Sequence, residues 1–134
     1  QKAMLPPSER RGLVLIDPPF EAADEFERLS RALRQGLRRF ATGCYAVWYP
    51  IKDETAVADF LDKLAAFRLL TMTLRLDKAL DADKLGTCGL VVINPPWRFE
   101  EAMAEALPWV AAVLGGKSSV AATPASAPAP VSPP

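Results

Sequence analysis

The amino-acid sequence predicts an α/β fold with a mostly parallel sheet and an antiparallel edge strand. Short aliphatic runs alternate with longer segments in which apolar residues recur at helical spacing. Such alternation is typical of buried strands that are joined by crossover helices. The chain has 134 residues, of which 50% are hydrophobic, and this is enough for one domain with its own core.

Each strand and helix follows from a local pattern. Strands are predicted at residues 13–16, 44–51, 69–76 and 88–93. Helices are predicted at residues 23–40, 53–64 and 99–114. Asp53 is the expected N-cap of the second helix. The run "LVLI" (13–16) is typical of a strand buried on both faces, whereas 69–76 alternates apolar and polar residues and predicts a half-exposed strand near an edge.

The end of the domain is predicted at the last helix. Gly115 and Gly116 are expected to close that helix, because glycine readily adopts the left-handed conformation of a helix C-terminus. The segment 117–134 is rich in proline, alanine and serine, and Lys117 is its only large side chain. We therefore predict one folded unit over 1–116 and a disordered tail over 117–134.

Composition excludes several classes of function. Lysine and arginine balance aspartate and glutamate at 16 each, so no overall field favours an acidic partner. The chain has no histidine, and we therefore expect no metal site and no catalytic triad with an imidazole base. Cys44 and Cys88 lie in apolar stretches and are expected to be free thiols of a cytoplasmic protein. No apolar run is long enough to span a membrane.

Two proline loops are the candidate functional motifs. "DPPF" (17–20) follows the first predicted strand, and "NPPW" (94–97) follows the last one. In a mostly parallel sheet, ligands bind beyond the carboxyl ends of the strands. Asp17 and Asn94 both lie at such ends, which makes both of them site candidates.

The loop at 17–20 suits methylation of an amino group. The exocyclic amine of a purine is a weak nucleophile, and acceptors for its two hydrogens localise the lone pair on nitrogen. Asp17 can supply one acceptor and the carbonyl of Pro18 the other, while Phe20 offers a ring on which the base can stack. The base must leave its stack to be reached. The remaining candidate substrate-binding residues are Pro19, Tyr49, Asn94 and Trp97.

Structural alternatives exist for each candidate. Asp17 could cap the next helix, Asn94 could serve a turn, and Trp97 could anchor the last helix in the core. Tyr49 could line the site or pack in the core, while core packing is the favoured role of Trp48. The arginines of the first helix could contact phosphate, but a solvated face is the favoured interpretation; they are Arg28, Arg31, Arg34, Arg38 and Arg39.

Four segments together resemble one family. They are "LVLIDPPF", "RRFATGCYAVWYPI", "GLVVINPPW" and "LPWV", in this order and at these intervals. They look like the C-terminal half of the bacterial large-subunit (23S) ribosomal RNA adenine-N6 methyltransferases of the RlmJ type. The match runs from about Arg11 to Leu114.

The resemblance implies a Rossmann-like fold, S-adenosylmethionine as methyl donor and an adenine of ribosomal RNA, before subunit assembly, as acceptor. It also implies that Asp17 is the catalytic aspartate and lies beside the methionine moiety of the donor. Phe20 stands where the family usually has tyrosine. The family's N-terminal half, with its donor-binding glycine loop, has no counterpart here, so we expect a fragment that binds the donor weakly or not at all. The full-length enzyme is expected to be a monomer.

Two other functions remain open at this point. The proline loop is shared by enzymes that methylate DNA adenine or protein glutamine. A non-catalytic module that binds RNA or protein is the alternative outside enzymes.

Overall fold

A computed structural model describes residues 5–77 and 86–126 of the chain. In chain order its elements are β1 (Leu13–Ile16), α1 (Glu25–Arg39), β2 (Cys44–Pro50), α2 (Glu54–Asp62), β3 (Leu69–Leu76), β4 (Thr87–Ile93), α3 (Phe99–Leu114) and β5 (Gly116–Thr123). The predicted α/β class and the order of the first seven elements are confirmed. β5 was not predicted.

The sheet is mixed, and the prediction of a mostly parallel sheet is wrong. Within the described ranges its strand order is β1-β2-β4-β3-β5. β1 and β2 pair in parallel, whereas the other three neighbouring pairs are antiparallel. β1, β2 and β3 do run in the same direction, as helical crossovers require. However, β4 lies between β2 and β3 and runs in the opposite direction. β2 and β3 therefore each form an antiparallel pair with β4 instead of a parallel pair with each other.

β5 corrects the predicted disorder of the tail. Gly116–Thr123 pairs with β3 along its whole length, from Gly116 opposite Leu76 to Thr123 opposite Leu69. A strand on an existing edge is held by backbone hydrogen bonds, so small side chains suffice, and only Val120 packs against the core. A Cβ on Gly116 would lie within 3.0 Å of the backbone of Arg75, which explains glycine there. The remainder of the predicted tail, 127–134, lies outside the described residues.

Helices cover the two faces of the sheet unequally. α1 and α2 pack on one face, where Leu33 and Phe60 are each 1% exposed. α3 packs on the other face through Phe99, Met103 and Leu107. Its end at Gly115, which has φ +72°, confirms the predicted C-terminus. None of the helices in the described ranges is long and apolar enough to cross a membrane.

β1 is covered on one face only. Val14 and Ile16 pack against the core under α1. Leu13 and Leu15 point to the opposite face and are 68% and 71% exposed. The prediction of a strand buried on both faces is therefore wrong for β1 in this chain, because no element within 5–77 and 86–126 lies over those two leucines.

Candidate functional site

Asp17 lies directly after β1, at the carboxyl end of the strand, and its side chain is exposed. It lines an open cleft of about 500 Å³ together with Pro18, Glu25 and Arg28. Among the described residues, its carboxylate makes no hydrogen bond or ion pair. α1 begins at a different N-cap, Asp24, so the alternative in which Asp17 caps the helix is excluded. Asp17 is therefore available to a ligand.

The loop after Asp17 is held by aromatic packing at Phe20. The ring of Phe20 lies 5.0 Å from the ring of Phe26 and 6.4 Å, edge-on, from that of Trp48 (centroid distances). The backbone of Phe20 has φ +52°, a conformation that costs a non-glycine residue about 1–3 kcal/mol. Such strain persists only where the surroundings enforce it, and it is typical of ligand-binding loops.

Trp48 and Tyr49 point to opposite faces of β2. Ile16 pairs with Val47, so the next residue of β2, Trp48, lies level with Asp17. Tyr49 points to the other face, is 1% exposed and packs against Phe26 and Phe60. This burial favours core packing, the alternative that the sequence left open for Tyr49, whereas Trp48 is half-buried.

The burial of Tyr49 also affects its ionisation. Removal from water disfavours the phenolate, and the nearby Cys88 adds a smaller effect of the same sign, which together raise the pKa of Tyr49 to about 12. Gly89, its partner across β2 and β4, leaves the space that the ring occupies. Tyr49 is thus a neutral core residue.

Asn94 serves a structural turn. Its side-chain amide donates hydrogen bonds to the carbonyl oxygens of Ala41 (2.9 Å) and Gly43 (3.0 Å), which belong to the connection between α1 and β2. Its backbone N–H donates to the carbonyl of Arg68 (3.0 Å). Its φ of +55° is tolerated better by asparagine than by most residues. This is the structural role that the sequence left open as an alternative.

The two proline loops lie at opposite ends of the sheet. Because β4 is antiparallel to β2, Asn94 lies beside Cys44 at the start of β2, whereas Asp17 lies beside Trp48 near its end. Those positions are four residues apart, or roughly 13 Å along the strand. Asn94 and Trp97 therefore do not join the Asp17 site. Each proline loop directly follows a strand in the sequence, but only β1, and not β4, ends at the Asp17 cleft.

Trp97 is not the core anchor that was considered. It is 88% exposed, and the guanidinium of Arg98 lies 5.3 Å from its ring centroid. The loop is held instead by Arg68, whose guanidinium donates a hydrogen bond to the carbonyl of Pro95.

The arginines of α1 form an exposed face. Arg31 pairs with Glu27 at 3.7 Å, and Arg38 Nε donates to the carbonyl of Arg34 at 3.4 Å. Lys63 also pairs with Glu27 and, through that hydrogen bond, lowers the pKa of the Glu27 carboxyl. These contacts favour the interpretation of a solvated face, and Arg28 differs in lining the Asp17 cleft.

The cysteine and acidic side chains of the described residues were the remaining candidates for a metal site. Cys44 and Cys88 are free and half-buried, and burial raises the pKa of the Cys44 thiol. Within 5–77 and 86–126 there is no group of three or more cysteine, histidine, aspartate or glutamate side chains that could hold a metal ion.

Comparisons with known proteins show the family to which the chain belongs. Residues 1–123 match the model of a family described as ribosomal RNA large subunit methyltransferase D, RlmJ. The ribosomal RNA large subunit methyltransferase J of Haemophilus influenzae is 41% identical over 116 residues, and that of Escherichia coli is 40% identical over 113 residues. These matches span 84% and 81% of this chain but only 41% and 40% of the two relatives.

A solved structure shows the same fold over a similar share of its length. Protein LPL1258 of Legionella pneumophila superposes with a TM-score of 0.79 and 32% identity, over 92% of this chain and 47% of that one. The chain thus spans less than half of the relatives it matches.

Proposed function

Since this chain belongs to the RlmJ family of ribosomal RNA large subunit methyltransferases, we propose that it is the C-terminal part of an enzyme that transfers a methyl group from S-adenosylmethionine to the N6 amino group of an adenine in large-subunit ribosomal RNA. The observation that carries the proposal is Asp17. Its carboxylate is exposed and has no partner within the described residues, and it opens a cleft at the carboxyl end of β1.

Asp17 and Pro18 would activate the amine. The Asp17 carboxylate accepts a hydrogen bond from one N6 hydrogen, and the carbonyl of Pro18 accepts the other. Proline suits this position because it lacks an N–H that would compete as a donor. S-adenosylmethionine, when bound, supplies an electrophilic methyl group on sulfur. The Asp17 carboxylate would then take the proton that the amine releases on methylation.

The aromatic residues would hold the base. Phe20 lies three residues after Asp17 and packs edge-on against Trp48, and the stacking of a base on an aromatic ring contributes about 1–3 kcal/mol. Phe20 lacks the hydroxyl of the tyrosine that the family usually has, so its contribution is limited to packing. An adenine must leave its stack to enter the cleft, which favours ribosomal RNA before subunit assembly as the substrate.

The donor fits this chain only in part. Asp17 suits the methionine end of S-adenosylmethionine, since a carboxylate without a partner can face its ammonium and sulfonium charges. The sequence contains no Gly-x-Gly motif, which in a Rossmann-like fold forms the turn that cradles the nucleoside. We therefore assign the rest of the donor site, and the rest of a Rossmann-like sheet, to the part of the relatives that this chain does not match. The whole enzyme is proposed to be a cytoplasmic monomer.

The test uses a chimera in which this chain replaces the matched segment of the Haemophilus influenzae relative. Transfer of label from S-adenosylmethionine to unmodified large-subunit RNA is measured, and the product nucleoside is identified by mass spectrometry. Asp17→Asn should lower the rate by at least about 100-fold, because the neutral amide accepts a hydrogen bond more weakly than a carboxylate and cannot take the released proton. Asp24→Asn, an equally exposed acid seven residues later, is the control and should retain the rate.

Two outcomes would contradict the proposal. Undiminished transfer by Asp17→Asn would remove the assigned role, and a labelled product other than N6-methyladenosine would remove the assigned acceptor. The same assay offered adenine in DNA or a glutamine peptide separates the related amino methyltransferases. RNA binding by the chimera without any transfer would indicate the non-catalytic module.

A further inference from the structure

α1 carries most of its charge as arginine. Its 15 residues include five arginines and two glutamates, a surplus of three positive charges in a chain whose formal net charge is zero. All five arginine side chains are exposed; they are Arg28, Arg31, Arg34, Arg38 and Arg39. Arginine presents a planar fork of N–H donors that matches the oxygens of a phosphate, so a local cluster of this kind suits a phosphate-bearing ligand even in a neutral protein.

Three of the arginines form a row along the helix. Arg31, Arg34 and Arg38 are three and four residues apart, which places them on one side of the helix with about 5–6 Å between neighbours. This side points away from the buried leucines of α1 and toward solvent. Arg31 and Arg38 also border a shallow depression of about 350 Å³, together with Gln35 and Arg39.

The structural requirements of the helix do not account for this row. The helix macrodipole favours cations in the last turn only, which holds Arg38 and Arg39. Arg31 has an acidic partner, Glu27, at 3.7 Å, but Arg34 has none within 5–77 and 86–126. Like charges at this spacing destabilise a helix by about 0.2–0.5 kcal/mol per pair. The row therefore lowers the stability of the free protein, and a ligand that neutralises it would offset that cost.

The acid at the start of the row already has its charge balanced. Glu27 forms ion pairs with Arg31 and with Lys63 of α2. Because two cations face it, Glu27 repels an approaching phosphate less than a lone carboxylate would. Lys63 also adds a further positive charge beside the row.

The row leads away from the Asp17 cleft. Arg28, one helical turn before Arg31, lines that cleft together with Asp17. α1 runs from the cleft to the opposite end of the sheet, and Arg28 and Arg38 are separated by about 15 Å along its axis. When a base of an RNA enters the cleft, the flanking backbone lies against the protein surface, and this helix offers that backbone a line of cations.

We propose that these arginines bind the phosphate backbone of the ribosomal RNA beside the target adenine, with Arg28 nearest the cleft and the row along the strand that leaves it. RNA is favoured over an acidic protein because its phosphates repeat at a regular interval along one strand, as the arginines do along the helix. The inference rests on the proposed function for the choice of RNA, but it concerns docking of the substrate and not the reaction at Asp17. The solvated face of α1 is the state that such a site requires before RNA binds, since acids engage so few of its arginines.

Replacement of the row by glutamine tests the docking surface. The chimera with the Haemophilus influenzae relative receives Arg31→Gln, Arg34→Gln and Arg38→Gln together, because glutamine removes the charge and has a similar helix propensity. Binding to unmodified large-subunit ribosomal RNA is measured by filter binding at several salt concentrations, without a methyl donor. The affinity should fall at least about tenfold, and the slope of log affinity against log salt should become shallower by about 2–3, because each phosphate contact contributes about 0.7–0.9.

Two further variants of the chimera serve as controls. Arg75→Gln, Arg98→Gln and Lys117→Gln together remove the same charge from exposed positions on other parts of the chain, so the affinity should stay within about twofold of the parent. Lysine at the three positions of the row keeps the charge and should retain the salt slope, but it should lose part of the affinity because it lacks the planar fork. In urea, the glutamine variant should be at least as stable as the parent, since the repulsion along the row is removed.

Methyl transfer separates docking from chemistry. The glutamine variant of the row should raise KM for RNA at least about tenfold and leave kcat within about twofold, because the row contacts the backbone and not the reacting amine. Asp17→Asn should show the opposite pattern, with a lower kcat and an unchanged affinity for RNA. If the result for Asp17 fails while the result for the row holds, the reaction is assigned wrongly and the docking surface stands.

Three results would overturn the inference. The first is a glutamine variant of the row that binds RNA as tightly as the control of equal charge. The second is weaker binding with an unchanged salt slope, since the arginines would then not contact phosphate. The third is a lower kcat with an unchanged KM, since the row would then act on the chemistry. The same binding measurements on the 134-residue chain, which carries the entire row, decide the question if the chimera does not fold.

Discussion

The replacement of Gly89 by alanine tests whether Tyr49 is a fixed core residue or a movable residue of the site. Gly89 lies opposite Tyr49 in the pairing of β2 and β4. A Cβ at this position would come within 3.0 Å of three atoms of the Tyr49 side chain, Cε2, Cζ and Oη. Carbon atoms normally pack at about 3.5–4.0 Å, so the ring would have to move.

The ring has little room to move. Tyr49 is 1% exposed, and its ring centroid lies 6.1 Å from that of Phe26 and 5.9 Å from that of Phe60. Overpacking of this type costs about 1–3 kcal/mol. Alanine recovers about 0.4–1 kcal/mol by restricting the unfolded chain. We therefore expect Gly89→Ala to lower the free energy of unfolding by about 1–2 kcal/mol.

Gly86→Ala is the control, because a Cβ at Gly86 would meet no atom within 4 Å. Urea unfolding of the 134-residue chain, followed by circular dichroism, measures both variants. Gly86→Ala should match or slightly exceed the parent in stability. If Gly89→Ala proves as stable as Gly86→Ala, the Tyr49 ring moves freely, and the reasoning that removes it from the site fails.

Two further predictions concern the same residues and the second loop. The raised pKa of Tyr49 means that the folded state keeps a proton which the unfolded chain loses above pH 10, so stability should fall by about 2 kcal/mol between pH 10 and pH 12. Tyr49→Phe should remove that part of the fall in urea titrations at the two pH values. Asn94→Ala should cost about 2–3 kcal/mol through two lost hydrogen bonds and an unfavourable φ, and Asn94→Gly should cost less. An Asn94→Ala protein of unchanged stability would contradict the structural role.

The helices and strands could be predicted individually because each depends on residues that are close together in sequence. Leu29, Leu33 and Leu37 repeat at helical spacing and are all buried under α1. Asp53 accepts hydrogen bonds from the backbone N–H groups of Thr55 (2.9 Å) and Ala56 (3.3 Å), as an N-cap does. Each of these features depends on residues within one or two turns of each other, and that information is contained in the pattern itself.

Adjacency and orientation within the sheet could not be predicted in this way. The residues of β4 form no local pattern that predicts its position between β2 and β3, because that position is determined by contacts between residues that are distant in sequence. The same limit left the role of Tyr49 open, since neighbouring residues of a strand point to opposite faces and the sequence alone does not say which face is the core.

The pair of proline loops shows why similar motifs need not share a role. In "DPPF" the positive φ falls on the aromatic Phe20, whereas in "NPPW" it falls on Asn94 and on the following residue, Arg98. The first loop leaves its acid without a described partner at the end of a strand that runs toward the cleft, and the second uses its amide to join β4 to the start of β2. Strand direction therefore separates the two motifs. β1 is parallel to β2 and β4 is antiparallel to it, so Asp17 and Asn94 lie at opposite ends of the sheet.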